Sequence, residues 1–366
     1  ELGAYESLLE EFSTLPSKTL LWHYRSKNES LISFSNLNFY DNSLITFPSA
    51  LDDNENTGVE YVYVRDGRYS KNLGGNIKEA EKVADLVFEH FKNEPSRSIG
   101  IIAFGELQQN AIEDAITKRR EVMPEFERFF GDDLLEPLFV KNLETVQGNE
   151  RDTIIFSIGY APDENNNFRM NFGPLSLSGG ERRLNVAITR ARYNLKLVGS
   201  IKSTDIAVDR IHHQGPKLLQ KYIEFAINNR INIENNLINS RSIDTFNKCI
   251  YKFLLANNYD VDANVGCSEY KIDFAIKAEN TPNKYVIGIE CDGFMYHSAI
   301  NTRERDRLRT SVLKNMGWTM YRVWSTEWIR NPEMEQQRLL NAIQDAILNN
   351  SSTNVVSSKK VYCVDY

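Results

Sequence analysis

Three carboxylates in the last third of the chain have the spacing of a cation site. If residues 270–276 form a strand, Asp273 faces away from the apolar side chains beside it. If residues 286–292 form a second strand, Glu290 and Asp292 share one of its faces. Pairing of the two strands as a hairpin would bring the three carboxylates together. Because hard oxygen ligands suit Mg²⁺ or Mn²⁺, the pattern predicts a divalent-cation site at Asp273, Glu290 and Asp292.

A second set of candidate residues is rich in arginine. Residues 182–192 read Arg-Arg-Leu-Asn-Val-Ala-Ile-Thr-Arg-Ala-Arg and predict a helix with Arg183 and Arg190 on one face. Two further charged segments are Trp-His-Tyr-Arg-Ser at 22–26 and Leu-Glu-Thr-Val-Gln-Gly-Asn-Glu-Arg-Asp at 143–152. Guanidinium groups bind phosphate well, and a solvated helix face is the alternative interpretation of the arginines.

The phosphate loop of P-loop enzymes, G-x-x-x-x-G-K-[ST], occurs nowhere in the 366 residues. A chain without that loop is not expected to hydrolyse ATP by itself. The first residues, Glu-Leu-Gly-Ala, contain neither an initiator Met nor a signal pattern. We therefore expect the chain to be the C-terminal part of a larger protein.

The elements that must position these residues alternate between strands and helices from residue 18 to about 205, which favours a parallel α/β sheet. The predicted strands are Thr19–Trp22, Val59–Val64, Ile99–Ala103, Phe139–Asn142, Thr153–Ser157 and Leu195–Gly199. The predicted helices are Ser30–Phe39, Ile77–Phe91, Glu106–Val122 and Arg182–Arg192. From residue 242 to about 350 the pattern changes to helix, two short strands, polar loop, helix, strand and helix.

The composition is that of an ordinary globular protein, with 41% hydrophobic and 25% charged residues. A net charge of −7 argues against coating nucleic acid over the whole surface but allows a local basic groove. The four cysteines form no C-x-x-C pair, which favours reduced thiols in a cytoplasmic protein. No run of 18 apolar residues occurs, so no membrane partner is expected.

The three charged segments, taken in order, resemble motifs IV, V and VI of superfamily 1 helicases of the Upf1-like branch. The resemblance covers roughly residues 18–205 and implies the second RecA-like domain of a motor. It implies ATP-Mg only in the full-length protein, bound by a preceding RecA-like domain that this chain lacks. Arg190, with Arg25 as a second, is the implied arginine finger, worth about 10³–10⁵ in kcat in studied systems. The implied nucleotide-binding or strand-binding residues are Arg25, Gln147, Gly148, Glu150, Arg183 and Arg190.

Residues 242–332 resemble the Vsr-like (very-short-patch-repair-like) branch of the PD-(D/E)xK nucleases. The resemblance rests on these segments: Lys-Ile-Asp-Phe (271–274), Gly-Ile-Glu-Cys-Asp-Gly (288–293), Tyr-His-Ser (296–298), Arg-Glu-Arg-Asp-Arg-Leu-Arg (303–309), Gly-Trp (317–318) and Arg-Val-Trp-Ser-Thr (322–326). It implies a restriction-endonuclease-like fold with Asp273 and Glu290 on the metal. It also implies His297 as general base, and it places Asp292 where many relatives carry a lysine.

Several residues of this region keep a second interpretation. Related domains often carry a glutamate in the first helix, where this chain has Asn247, and an amide is a poorer metal ligand than a carboxylate. His297 is either the base or a surface histidine. The arginines between 303 and 309 either contact phosphate or form a solvated helix paired with its own acids. Trp318 and Trp324 are predicted to be core residues.

These patterns predict an α/β protein in which a RecA-like parallel-sheet domain precedes a smaller restriction-endonuclease-like domain. The predicted parts are 1–17 from a preceding region, 18–205 and 241–350 as the two domains, 206–240 as a helical linker, and 351–366 as a tail. The predicted activity is cleavage of single- or double-stranded DNA with Mg²⁺ or Mn²⁺, attached to half of a helicase. One alternative is an inactive nuclease fold that holds DNA for the motor. Another is a translocase or RNA-directed helicase with an incidental nuclease domain.

Overall fold

The structure is a computed structural model that describes residues 12, 14–16, 20–50, 56–72, 74–131, 134–235, 245–266, 270–278, 281–292 and 302–356. Within these ranges, the backbone alone is described for residues 210, 229–235, 245, 281–283, 292, 302–307 and 350–356.

The first part of the chain alternates strands and helices, as predicted. Its strands are β1 (Gly58–Tyr63), β2 (Ile99–Ala103), β3 (Phe139–Asn142), β4 (Arg151–Ser157) and β5 (Ala191–Gly199). Its helices are α1 (Ser30–Phe39), α2 (Ile77–Asn93), α3 (Glu106–Val122), α4 (Gly180–Ile188) and α5 (Gln214–Asn235). Short 3₁₀ helices lie at Pro124–Phe129, Gly173–Ser176, Ser203–Asp205 and Val208–Arg210.

The described strands of this part form one sheet in the order β1-β5-β4-β2-β3, and every neighbouring pair is parallel. Parallel sheets are covered on both faces, which explains the continuous apolar runs at Ile99–Ala103 and Thr153–Ser157. The strand predicted at Thr19–Trp22 is wrong for residues 20–22, since Trp22 makes only an isolated bridge with Ile45. Leu20 is 91% exposed, so this segment has no sheet to pack against.

Helices cover the two faces of the sheet. The helices α2 and α3 pack on one face through residues such as Val87 and Ile112. The helices α1, α4 and α5 pack on the other face, where Leu184 and Tyr222 are fully buried. The whole of α5 lies in the segment 206–240 that the sequence assigned to a helical linker, yet its buried side chains belong to the core of the first domain.

The second part of the chain has a smaller, mixed sheet in the order β6-β7-β8-β9. The pairs β6/β7 and β7/β8 are antiparallel, whereas β8/β9 is parallel. Its elements are α6 (Thr245–Ala256), β6 (Val261–Val265), β7 (Ile272–Ala278), β8 (Thr281–Asp292), α7 (Thr302–Asn315), β9 (Met320–Trp324), α8 (Ser325–Arg330) and α9 (Pro332–Val356).

An apolar cluster joins the first domain to the second. Phe47 and Ala50, which follow α1, pack with Ile272 of β7 and with Leu313 of α7. Trp318 is buried in the same cluster, and its Nε1 donates a hydrogen bond of 2.8 Å to the carbonyl of Pro48. The smaller domain therefore packs directly on residues 47–50, which lie after helix α1 and downstream of the predicted motif at 22–26.

In the part of the chain that the structure describes, no helix combines the length and the apolar character needed to cross a membrane.

Candidate functional site

A compact turn presents Arg25 at the surface of the first domain. His23 Nε2 accepts hydrogen bonds from the Ser26 backbone N at 3.2 Å and from Ser26 Oγ at 2.8 Å. Burial, reinforced by the charge of Arg25, lowers the pKa of His23 to about 4, so the ring is neutral at pH 7. This turn directs Tyr24 outward, where it is 66% exposed. We did not single out His23 and Tyr24 from the sequence, although both lie inside the quoted segment 22–26.

Arg25 meets a residue of the second predicted motif. Its Nε lies 2.7 Å from Glu150 Oε2, and Arg192 Nη1 lies 3.6 Å from Glu150 Oε1. Arg192 also contacts Asp152 Oδ1 through Nε at 2.8 Å and Glu136 Oε1 through Nη1 at 2.9 Å. The hydrogen bonds that Arg192 donates to Glu136 and Asp152 raise the pKa of Arg192. Arg192, which was not among the predicted site residues, thus fixes the strand ends that carry Glu150.

Arg190 lies near Arg25, but it is not part of the helix. The prediction that Arg182–Arg192 is helical is wrong at its end, because α4 stops at Ile188 and β5 begins at Ala191. Thr189 Oγ1 donates to the carbonyl of Asn185 at 2.9 Å, a local bond that competes with further helix. Arg190 itself is held by its Nε, which donates to the carbonyl of Val186 at 2.7 Å.

Arg190 and Arg25 are close enough to repel each other. Burial and the positive charge of Arg25 lower the pKa of Arg190, while Glu150 acts in the opposite direction. Two guanidinium groups with one carboxylate between them leave an excess positive charge at this edge of the sheet. Such an arrangement favours an anion, and phosphate oxygens fit guanidinium geometry well.

The remaining predicted residues of the motor site do not join this group. Gln147 and Gly148 are exposed on the turn before Glu150, and Gly148 has a φ of 87°. Arg183 Nη1 donates to the carbonyl of Ser178 at 3.0 Å. Among the described contacts, none connects these three residues with Arg25 or Arg190, so their predicted roles stay predictions.

In the second domain, the structure brings Asp273 and Glu290 together. Phe274 pairs with Ile289 across the antiparallel strands β7 and β8, and the same register places Asp273 opposite Glu290. Directly opposite residues on one face have Cβ atoms about 5 Å apart. Like charges so placed repel, and burial, the main cause, together with the charge of Glu290 raises the pKa of Asp273.

Asp273 is held by two donors. Its Oδ2 accepts a hydrogen bond of 2.8 Å from the backbone N of Cys291, and its Oδ1 accepts one of 3.3 Å from Asn247 Nδ2. Asn247, on helix α6, therefore stands beside the carboxylate where the sequence comparison anticipated a glutamate. Burial raises the pKa of the Cys291 thiol, which argues against a thiolate at pH 7.

Glu290 is surrounded by cationic and phenolic donors. Arg322 Nη2 lies 2.8 Å from Glu290 Oε2, the Tyr270 hydroxyl donates to Oε1, and Arg309 Nε lies 3.7 Å from Oε1. The Arg309 guanidinium carbon lies 3.2 Å from the centroid of the Tyr270 ring. Burial by itself would raise the pKa of Glu290, but the bonds from Tyr270 and Arg322 and the charges of both arginines outweigh it and lower the pKa.

The other predicted residues of this domain have different outcomes. The backbone of Asp292 pairs with Trp324, while its side chain and the whole of His297 lie outside the described residues. Arg309 contacts Glu290 and Tyr270, so for this arginine the interpretation as part of a solvated helix face is wrong. Trp318 is buried as predicted, whereas Trp324 is 43% exposed and not a core residue.

The donor chemistry at this centre fits a hard divalent cation, since Asp273 and Glu290 offer carboxylate oxygens from neighbouring strands. The guanidinium groups of Arg309 and Arg322 now offset the carboxylates of Asp273 and Glu290. A cation bound at this centre would therefore have to replace the arginines at Glu290. Within the described residues, no group of three histidine, cysteine, aspartate or glutamate side chains is placed to hold a metal. Asp292, the predicted third ligand, has its side chain outside the described residues.

Two family models match separate parts of the chain. A model of the AAA domain family AAA_12 matches residues 4–202, which is more than half of the chain. The chain belongs to the AAA_12 family. A model of the REase_MTES_1575 family matches residues 246–343, the span that contains Asp273 and Glu290. An AAA_12 helicase-like, RecA-like domain thus precedes a restriction-endonuclease-like domain, which confirms the predicted fold class.

Curated relatives of this AAA_12 chain carry helicase names. It is 31% identical over 353 residues to the "Uncharacterized ATP-dependent helicase MG140" of Mycoplasma genitalium, which covers 91% of this chain and 30% of the relative. It is 30% identical over 339 residues to the MG140 homolog of Mycoplasma pneumoniae, covering 88% of this chain and 29% of the relative. The chain therefore spans less than a third of the length of these relatives.

A solved structure gives weaker similarity. The C-terminal domain of a possible DNA helicase from a Lactobacillus is 16% identical, with a TM-score of 0.28, over 48% of this chain and 86% of that chain. A TM-score of this size does not establish a shared fold.

Proposed function

We propose that this chain is the C-terminal part of a helicase–nuclease, in which an AAA_12 motor half is followed by a DNA endonuclease. The observation that carries the motor assignment is the meeting of Arg25, Glu150 and Arg190, which come from three separate segments. The names of the curated relatives support the same assignment.

In this proposal the two arginines face an ATP molecule that a preceding domain binds through its own phosphate loop. The mutual repulsion of Arg25 and Arg190 is relieved when the γ-phosphate lies between them. Negative charge that develops during phosphoryl transfer is then stabilised from this side of the nucleotide, an effect of about 10³–10⁵ in kcat in studied systems.

The test uses a longer protein that includes the preceding domain. Arg190→Ala should lower kcat for ATP hydrolysis by about a hundredfold or more with little change in nucleotide affinity, since a finger acts in the transition state. Arg119→Ala is the matched control, because Arg119 pairs with Asp85 on the outer surface of the same domain. A drop in nucleotide affinity with unchanged kcat would contradict the assignment.

For the second domain we propose metal-dependent cleavage of DNA phosphodiester bonds. The supporting observation is the opposition of Asp273 and Glu290 on β7 and β8. Asp273, Glu290 and Asp292 would hold Mg²⁺ or Mn²⁺, which when bound activates a water molecule and offsets phosphoryl charge. The backbone N of Cys291 and the amide of Asn247 orient Asp273 toward the centre. His297 is proposed as the base that takes the proton of the water.

Nicking of supercoiled plasmid with Mg²⁺ or Mn²⁺ tests this part. Asp273→Ala should abolish nicking while DNA binding stays intact or becomes tighter, because a repulsive carboxylate is removed. Asp345→Ala, an exposed acid on the last helix, is the control. Nicking that persists in Asp273→Ala would show that the centre is elsewhere.

The second candidate function is a nuclease fold that binds DNA without cutting it. Asn247 beside Asp273 and the arginines on Glu290 favour it. Uncut plasmid together with no calorimetric binding of Mn²⁺ at millimolar concentration, in the presence of DNA, would select this candidate.

A further inference from the structure

Two arginines converge on Glu290. Its carboxylate is contacted by two guanidinium groups and one phenol, whereas the described hydrogen bonds of the neighbouring Asp273 come from the neutral donors Cys291 N and Asn247 Nδ2. The group is also reachable from solvent, since the side chains of Glu290, Arg322 and Arg309 are 15%, 23% and 33% exposed.

The two arginines come from different elements and converge on the same point. Arg322 is the register partner of Glu290 on the parallel strand β9, and Arg309 reaches the centre from helix α7. The Arg309 guanidinium carbon lies 3.2 Å from the centre of the Tyr270 ring, which is itself buried, so this contact holds the guanidinium in place before any ligand arrives. Preorganised guanidinium groups are suited to an anion with two oxygens in one plane.

A carboxylate and a phosphodiester present the same feature to arginine, namely two oxygens that share one negative charge. From this likeness we infer that Arg309 and Arg322 form the site for a substrate phosphate, and that Glu290 occupies them while nucleic acid is absent. This inference rests on the proposed function, in which DNA lies at this centre. When the phosphate takes the arginines, both oxygens of Glu290 become free of cationic partners, as ligation of a cation requires.

The inference makes Arg309 and Arg322 substrate-binding residues of the second domain. It also gives the order of events, because nucleic acid must bind before Glu290 can serve as a ligand. Tyr270 is a positioning residue, which acts by holding Arg309 and by donating to Glu290.

The experiment measures binding of a fluorescein-labelled single-stranded oligonucleotide by anisotropy, with the full chain, in EDTA, across a series of salt concentrations. Arg322→Ala and Arg309→Ala should each weaken binding by about tenfold, the usual size for loss of one charge-assisted contact. Each should also reduce the slope of log affinity against log salt by about 0.7, the amount expected for one phosphate contact on a single strand. Arg330→Ala, an exposed arginine of helix α8, is the matched control and should change neither.

Glu290→Gln distinguishes the inference from a purely structural role. The glutamine keeps the size of the side chain but removes the charge that competes with phosphate, so affinity should rise by roughly tenfold. Arg322→Lys keeps the positive charge, so it should retain most of the salt slope that Arg322→Ala loses. Unchanged salt slopes in both alanine variants, or weaker binding by Glu290→Gln, would overturn the inference.

A second arm identifies the source of the phosphate. Replacing chloride by inorganic phosphate at constant ionic strength should leave the bound oligonucleotide in place. Displacement by a few millimolar phosphate would assign the arginines to a small anion and overturn the inference. All binding measurements are made without a metal, so a failure to cut DNA does not affect them. If the plasmid assay shows cleavage while the salt slopes are unchanged, this inference is refuted and the proposed function is not.

Discussion

A carboxyl group buried in the first domain provides a sharp test of the electrostatics of the fold. Glu79, in the first turn of α2, is fully buried. Its Oε1 accepts hydrogen bonds from Ser157 Oγ and from the backbone N of Gly159, each at 2.7 Å. Its Oε2 accepts from Ser200 Oγ at 3.1 Å and from Asn76 Nδ2 at 3.2 Å. Burial nevertheless dominates and raises the pKa of Glu79 to about 7.

The raised pKa makes stability depend on pH with a defined sign. The carboxyl ionises near 4.5 in the unfolded chain and near 7 in the folded chain. Between these values the folded state binds more protons, so the free energy of unfolding falls as pH rises. At about 1.4 kcal/mol per unit, the full cost is about 3 kcal/mol, of which about 2.5 kcal/mol falls between pH 5 and pH 8.

Glu79→Gln removes this titration but keeps the shape of the side chain. One carboxyl oxygen is replaced by an NH₂ group that faces a donor, so the variant should lose about 1–3 kcal/mol at pH 5. The deficit should shrink by about 2–3 kcal/mol by pH 8, because only the wild type then carries a buried charge. Urea unfolding at pH 5, 6, 7 and 8, followed by tryptophan fluorescence, measures both quantities.

Glu81→Gln is the control, because Glu81 is exposed on the same helix and should show the pH dependence of the wild type. Other titrating groups such as His90, whose pKa burial lowers, contribute equally to wild type and variants and cancel in the difference. If the difference between wild type and Glu79→Gln is constant from pH 5 to 8, Glu79 does not titrate in that range and the argument from burial is wrong.

Four further outcomes are expected. Trp318→Phe should lower the free energy of unfolding by about 1–2 kcal/mol, because the carbonyl of Pro48 loses its donor, whereas Trp324→Phe should have little effect on urea unfolding. Arg192→Lys should cost about 1–3 kcal/mol in the same assay, since one ammonium cannot replace a guanidinium that contacts Glu136 and Asp152 together. The folded protein favours neutral His23, so the contribution of His23 to stability is complete above pH 6.5 and is lost as pH falls toward about 4. His23→Gln should therefore reduce the pH dependence of the free energy of unfolding in that window, and an unchanged pH profile would contradict this. The chain alone should release phosphate from ATP only at background rate with single-stranded DNA, and turnover that disappears in Arg190→Ala would refute this expectation.

Much of the first domain could be predicted from the sequence, because its elements are long and regularly patterned. The predicted bounds Ile99–Ala103, Glu106–Val122 and Ser30–Phe39 match the structure. Apolar runs of a buried parallel strand and the 3.6-residue period of a helix are local signals that need no knowledge of contacts. The helix predicted at 182–192 was wrong at its end because the change from helix to strand depends on the pairing of Ala191 with Arg151. Local signals do not record such a contact.

The sequence by itself determined the kinds of chemistry in this protein: carboxylates on two adjacent strands, arginines in three charged segments, and no phosphate loop. Alternation along each strand was sufficient to place Asp273 opposite Glu290 once the strands were assumed to pair. Only the tertiary structure decided which arginines meet which carboxylates. Arg309 and Arg322 reach Glu290 from a helix and a strand that are separate in sequence, and Phe47 joins Trp318 across the two domains. Such contacts are set by packing between distant elements, and no local pattern records them.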